Sequence, residues 1–432
     1  MPIKIVRIID RLNVGGPSKQ MVWLTSGLEQ ARFQATLITG SCARGETDMS
    51  YLAHKAGIEL LSIPSMSREI SLRDLLVLGR LFRELVRLKP DIVDTHKSKA
   101  GALGRTAALA YKWLTPSALR LRPRRCKVVH TFHGHIFQNY YGPLRTAVHV
   151  AIERLLAWLA TDSIVVLSES QRREILERFR IGRPEQFRVI PLGLDLGELP
   201  QAERPRIRRE FEVAADELLI GSVGRLTEIK NHSMLLESVA RLLRQGIRGR
   251  LVIVGDGHLR ERLEERAREL GIAQFVRFTG LRRDVLALYP AFDIVALTSL
   301  NEGTPMTLIE AMASRRAVAV SEVGGVPDLL GVRQFRQEGF SIWERGVSAQ
   351  SGDIAGFAQA LAFLAAHSGL RAEMGARGRR FVEGNCSRER FLRDTADLYT
   401  ALCPEAATDD QATPAKSPSF EEAQALSLDQ AQ

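Results

Sequence analysis

The sequence is poor in the features that mark several large protein classes. Only four cysteines occur in 432 residues, Cys42, Cys126, Cys386 and Cys403. No two form a C-x-x-C pair or stand at zinc-ligand spacing, so reduced structural thiols are expected and a disulfide-stapled fold is excluded. No uninterrupted apolar run approaches the roughly 18 residues of a membrane-spanning helix. The best stretch, 147–167, is broken by Glu153, Arg154 and Asp162. The opening M-P-I-K-I-V-R-I-I-D reads as a buried strand and lacks the long apolar region of a signal peptide, so a cytoplasmic location is expected. There is no tandem repeat and no G-x-G-x-x-G, which leaves nicotinamide binding poorly supported.

What remains is the composition of an ordinary soluble protein, 45% apolar and 25% charged, with length for two or three domains. The charge is uneven. The net +10 comprises 30 Lys/Arg against 18 Asp/Glu in residues 1–200, whereas residues 404–432 carry one Lys against six acids. Lys112, Arg120, Arg122, Arg124, Arg125 and Lys127 follow one another without an acid. Such a run suits an anionic membrane face or a polyprenyl phosphate, or is a solvated loop. Nucleic acid is disfavoured because no binding motif or interleaved aromatics accompany the charge.

Short β-branched runs alternate with helix-length segments. Ile3–Ile9, Thr36–Ile38, Ile58–Ile63, Ile92–Asp94, Val128–Thr131 and Ile164–Leu167 read as strands, with helices such as Leu72–Leu88 and Leu144–Leu159 between them. A Pro/Gly-dense segment, 191–200, interrupts the pattern. It restarts at Leu219–Val223, Leu251–Val254, Val276–Phe278, Ile294–Leu297 and Ala317–Val320. The expectation is an α/β chain of two doubly wound, Rossmann-like domains, 1–195 and 196–403, facing across a cleft, followed by a disordered acidic tail, 404–432.

Candidate chemistry clusters at predicted strand ends. Gly15 and Gly16 in N-V-G-G-P-S-K-Q permit a tight turn before a helix N-terminus that attracts anions, although such turns are also purely structural. In G-S-V-G-R-L-T-E-I-K-N, Arg225 and Lys230 follow the turn at Gly224, and two cations at that place suit a diphosphate. In T-S-L-N-E-G-T-P-M-T-L-I-E-A, Glu302 and Glu310 could accept sugar and ribose hydroxyl protons beside the amides of Gly303 and Thr304, near Pro305 at the helix start. The plainer alternative is one helix-start acid and one exposed acid. V-G-D-G-H-L, with Gly255 and Gly257, is a partial phosphate-loop fingerprint. H-T-F-H-G-H brings His130, His133 and His135 close in sequence, but 130 and 133 point to opposite faces of a strand, so hydrogen-bonding or acid–base work is favoured over metal. His96 ends a second strand in the same way.

In this order and spacing the motifs resemble the retaining glycosyltransferases of family 4 (GT4), of GT-B architecture, over roughly residues 3–400. The carrying pieces are G-R-L-T-E-I-K-N, V-G-D-G, and E-G-T-P-M-T-L-I-E-A followed by V-G-G-V-P at 323–327. D-T-H-K-S-K-A-G-A-L-G-R and H-T-F-H-G-H-I-F further resemble bacterial enzymes of surface-polysaccharide assembly. The resemblance implies transfer of a sugar from a nucleotide-sugar, with UDP the expected nucleotide, to a saccharide or polyprenyl-linked acceptor, and an anionic membrane surface is a further expected partner. It implies that Arg225 and Lys230 clamp the diphosphate, Glu302 holds the donor hexose, Glu310 the ribose, and His133 lies near the reacting sugar. Gly15 and Gly16 would meet donor phosphate and acceptor. His96, Lys97, Phe137 and Tyr140 are the expected acceptor contacts. No D-x-D motif occurs, so no metal and no cofactor is expected, the two cations and helix N-termini stabilising the leaving diphosphate instead. Asn231 stands where many members have Gly, and Lys97 where many have a small hydroxyl residue. A nucleotide-sugar 2-epimerase-like enzyme, or a non-catalytic subunit of the same fold, is the alternative.

Overall fold

The computed structural model describes residues 1–13, 15–42, 48–66, 72–115, 123–134, 142–198 and 203–404. Two sheets divide the chain. The first has seven strands: β1 (Ile3–Ile9), β2 (Phe33–Thr39), β3 (Leu60–Ser62), β4 (Ile92–His96), β5 (Lys127–Phe132), β6 (Ser163–Val166) and β7 (Phe187–Val189). Their order is β3-β2-β1-β4-β5-β6-β7, parallel throughout. Ile, Val and Leu fill these strands on both faces because helices cover both faces of a parallel sheet, and separate clusters of buried side chains result on the two faces and toward the β7 edge.

The second sheet holds β8 (Leu218–Val223), β9 (Gly249–Val254), β10 (Val276–Gly280), β11 (Ile294–Leu297), β12 (Ala317–Ser321), β13 (Arg333–Arg336), β14 (Phe340–Trp343) and β15 (Gly346–Ala349). The order is β10-β9-β8-β11-β12-β15-β14-β13, and β14 runs antiparallel to both its neighbours. That edge hairpin, and the short β7, were absent from the sequence reading. Their three- and four-residue strands carry no periodicity long enough to separate them from loop.

Each sheet reverses strand order within its parallel strands, between β1 and β4 and between β8 and β11; the second turns back once more at β15 into its antiparallel edge. Ligands of open parallel sheets gather at the carboxyl ends of the strands beside such a reversal. The chain crosses back at its end: Leu194 bridges Ser387, and the helix Arg388–Leu402 lays Phe391, Leu398 and Tyr399 into the core of the first sheet. The 404–432 tail lies, beyond Pro404, outside the described residues. No helix among the described residues is long and apolar enough to cross a membrane.

Candidate active site at the two strand reversals

On the second sheet, β8 ends at Val223 and Gly224 turns the chain into the loop carrying Arg225 and Lys230. The left-handed conformation required next is supplied by Asn231, φ 49° and ψ 46°. Asparagine tolerates that region better than any other residue except glycine, so the departure from Gly keeps the turn. Lys230 Nζ pairs with Glu302 Oε1 at 2.5 Å, and Ser299 Oγ donates to the same oxygen at 2.6 Å. Both charged side chains are mostly buried, 18% and 12% exposed. Arg225 is exposed, and its charge is felt by Lys97 of the other half of the molecule. Gly255, at φ 133°, brings the loop after β9 so close that a Cβ there would meet the carbonyl oxygen of Gly224 at 2.0 Å. The expected phosphate-contacting glycines Gly255 and Gly257 therefore pack this loop against the first one through backbone.

The helix Met306–Ala313 starts at Pro305 and carries Glu310. Tyr289 Oη donates to Glu310 Oε2 at 2.7 Å, and Lys19 Nζ, from the other half, lies 3.8 Å from Oε1. Burial pushes the Glu310 carboxyl above its ordinary value, against the Lys19 charge and the Tyr289 hydrogen bond. Glu302 and Glu310 thus have different cationic partners, and Thr304 Oγ1 between them is buried with no hydrogen-bond partner.

The first sheet supplies the facing wall. Gly15 caps the helix Gly16–Ser26, and a Cβ on Gly16 would run into the Met306 side chain at 2.7 Å. A Cβ on Gly303 would meet the carbonyl oxygen of His133 at 2.5 Å. The loop after β5 therefore abuts the Glu302–Thr304 loop backbone to backbone, as only glycine allows. Lys97 follows β4 at φ 65° and ψ 164°, a conformation that costs a residue with a side chain about 1–3 kcal/mol. Its ammonium is held by Asp10 at 2.9 Å, the Arg11 carbonyl at 3.2 Å and Asn13 Oδ1 at 3.3 Å, tying it to the Gly15–Gly16 loop.

The sequence reading placed His96 against the acceptor; the structure buries it instead. Its side chain is 1% exposed, Nε2 faces Asp94 Oδ2 at 2.9 Å and Nδ1 faces His133 Nε2 at 3.0 Å. Both ring nitrogens are engaged, so neither is free to contact an acceptor. Burial lowers the His133 pKa well below the ordinary range, helped by the charges of His96 and Lys97. His130 lies on the other side of the strand, under the helix Ser98–Trp113, with Nδ1 2.9 Å from Thr95 Oγ1.

Family models match both halves. Residues 14–198 match the model described as glycosyltransferase family 4, and residues 203–381 the one described as glycosyl transferases group 1. The chain belongs to the family 4 glycosyltransferases. An Escherichia coli relative, UDP-Gal:alpha-D-GlcNAc-diphosphoundecaprenol alpha-1,3-galactosyltransferase, is 30% identical over 61% of this chain and 66% of that protein. The lipopolysaccharide core biosynthesis glycosyltransferase LpsE of Rhizobium meliloti is 28% identical over 58% of this chain and 66% of that protein. Among solved structures, Anabaena HepE in complex with UDP and glucose superposes with a TM-score of 0.73 at 18% identity, over 92% of this chain and all of HepE. The fold is GT-B.

In this glycosyltransferase the expected site residues gather at one seam: Gly16 against Met306, Gly303 against His133, Lys19 beside Glu310. Phe137, Tyr140 and His135 lie outside the described residues. Among the described residues no group of three His, Cys, Asp or Glu could hold a metal ion. The sequence reading missed Asp94, Tyr289, Ser299 and Tyr399. Asp94 alone had a signal, because in D-T-H it stands two residues before His96 and shares its face of the strand.

Proposed function

We propose that this glycosyltransferase moves a hexose or N-acetylhexosamine, with retention of configuration, from a UDP-sugar to a polyprenyl-linked saccharide during surface-polysaccharide assembly. The observation that carries the reading is the loop after β8, which holds Arg225 and Lys230 and is tied to the Glu302–Thr304 loop by the Lys230–Glu302 pair. Arg225 offers a fork and Lys230 a point charge where a diphosphate would sit, and Glu302 and Thr304 offer polar groups to the sugar beside it. The E. coli relative, named for a UDP-Gal donor and a diphosphoundecaprenol acceptor, supports the two substrate classes. The missing D-x-D supports leaving-group stabilisation by these cations, without a divalent metal. In this reading Glu310 holds the ribose and Glu302 the hexose, and the acceptor proton passes toward the departing phosphate on the face from which it leaves.

The acceptor enters from a membrane surface. The helix Pro143–Leu159 buries Val150, Leu156 and Ala157 and leaves Leu144, Val148, Ile152, Leu155, Trp158 and Leu159 exposed, Leu144 by 80% and Trp158 by 69%. Arg145 and Arg154 lie exposed on the same helix. An apolar stripe with cations beside it suits insertion at headgroup level of an anionic leaflet. The deciding experiment incubates the protein with a panel of nucleotide-sugars and lipid-linked acceptors. Transfer from a UDP-sugar is expected; isomerised donor with free sugar would identify the epimerase alternative, and no reaction with any donor would leave a binding subunit.

A further inference from the structure

A hydrogen-bonded chain runs from the core of the first sheet to the seam between the two halves. Asp94 on β4 is opposite Arg7 on β1 in the strand register. Its Oδ2 accepts from Tyr399 Oη at 2.6 Å and from Arg7 Nε at 3.2 Å, and faces His96 Nε2 at 2.9 Å. Burial alone would push this carboxyl up, but His96, Arg7 and Tyr399 together hold it below the ordinary aspartate range, so it is a carboxylate and can only accept. His96 Nε2 must therefore carry a proton. With that one proton on the ring, the other nitrogen, Nδ1, is a lone pair. It faces His133 Nε2 at 3.0 Å, which must be the donor of that bond. The remaining nitrogen, His133 Nδ1, is left as a bare lone pair. It is buried at the seam, on the residue whose carbonyl abuts Gly303, and it has no hydrogen-bond partner.

We infer that Asp94 and His96 are positioning residues that fix His133 as a hydrogen-bond acceptor, so that the cleft takes a sugar hydroxyl there and rejects an anionic group. The inference rests on the glycosyl-transfer reading for the identity of that hydroxyl; the direction of the chain rests on the Asp94 carboxylate together with a single proton on His96. A lone pair aimed at phosphate or carboxylate would repel it, whereas a hydroxyl donates to it. The same direction leaves diphosphate binding to Arg225 and Lys230. Tyr399 extends the chain to the last helix, so the docking of Arg388–Leu402 on the first sheet helps hold His133 in this tautomer.

Two measurements test this, and the first does not need activity. Long-range ¹H–¹⁵N spectra of the histidine-labelled full chain at neutral pH should show both His96 and His133 protonated on Nε2 and bare on Nδ1. His133 protonated on Nδ1 would overturn the inference. Asp94→Asn offers a side chain that both donates and accepts, and should turn His133 into a tautomer mixture; an unchanged tautomer would equally overturn it. The second measurement is kinetic. Asp94→Asn should lower kcat/KM about 10- to 100-fold, as loss of an outer partner does elsewhere, while calorimetric affinity for UDP stays within about 2-fold of wild type. Because the residues act as one unit, Asp94→Asn added to His133→Ala should cost nothing further. Fully additive losses would refute the chain. If Asp94→Asn does not fold, His96→Gln in the same cycle with His133→Ala takes its place. Wild type that fails to bind UDP would sink the donor assignment and leave the tautomer result standing.

Discussion

Lys230→Ala removes two things at once, and the structure allows them to be separated. Lys230 is the partner of Glu302 at 2.5 Å, and it is the proposed point charge on the leaving diphosphate. Its loss leaves a carboxylate only 12% exposed, with the Ser299 hydroxyl as its remaining donor. Breaking a fully buried pair costs about 3–5 kcal/mol; partial exposure brings this to about 1–3 kcal/mol, or a few degrees in Tm for a domain of this size. Removing one preorganised stabiliser of developing charge costs about 10²–10³ in kcat. Glu302→Gln in the same molecule removes the stranded carboxylate. The double variant should therefore recover most of the lost stability and none of the lost activity. Urea melts give the first quantity, and steady-state rates with saturating donor the second. If Lys230→Ala/Glu302→Gln regained near wild-type kcat, Lys230 would be no more than a counter-ion for Glu302, and the clamp would have to rest on Arg225 alone.

Three further outcomes are expected. Activity should persist in excess EDTA; loss with chelator and recovery with Mg²⁺ or Mn²⁺ would show that Arg225 and Lys230 do not suffice for the leaving group. The protein should float with anionic liposomes and not with neutral ones, and Leu155→Ser/Trp158→Ser should weaken that binding at least 10-fold, since each buried side chain of this size contributes about 1.5–3 kcal/mol; a protein that stays in the soluble fraction at low salt would exclude the membrane face. Stability should fall as pH drops below about 6.5. Burial lowers the pKa of His130, His133 and His232, the last to about 4, so the unfolded chain takes up protons in this window that the folded protein refuses. Each site contributes at most about 1.4 kcal/mol per pH unit. Glu310, raised by burial, opposes with a single group, and an unfolding midpoint equal at about pH 7.5 and about pH 5 would refute the neutral assignment.

The donor side of the site was legible because its residues are local. Arg225 and Lys230 share one loop with the strand that precedes them, and Glu302, Thr304 and Glu310 span one loop and the helix after it, so spacing alone places them at a strand end. The interior of the first sheet was not legible in that way. Arg7 reads as a stray cation in an apolar strand, and nothing in the sequence pairs it with Asp94, 87 residues on. Tyr399 is 305 residues from the carboxylate it donates to.

The same distinction decides what His96 does. Taken as a strand-end residue, it faces the cleft and should touch the acceptor. Once Asp94 is recognised as a buried carboxylate held by Arg7 and Tyr399, His96 has a partner behind it as well as His133 in front of it. Two ring nitrogens cannot serve three groups, which leaves none for a substrate, and the role we infer for His96 is the control of His133. The cations and carboxylates proposed to meet the donor are therefore set by local sequence, whereas the polarity we infer for the facing wall depends on a helix from the far end of the chain.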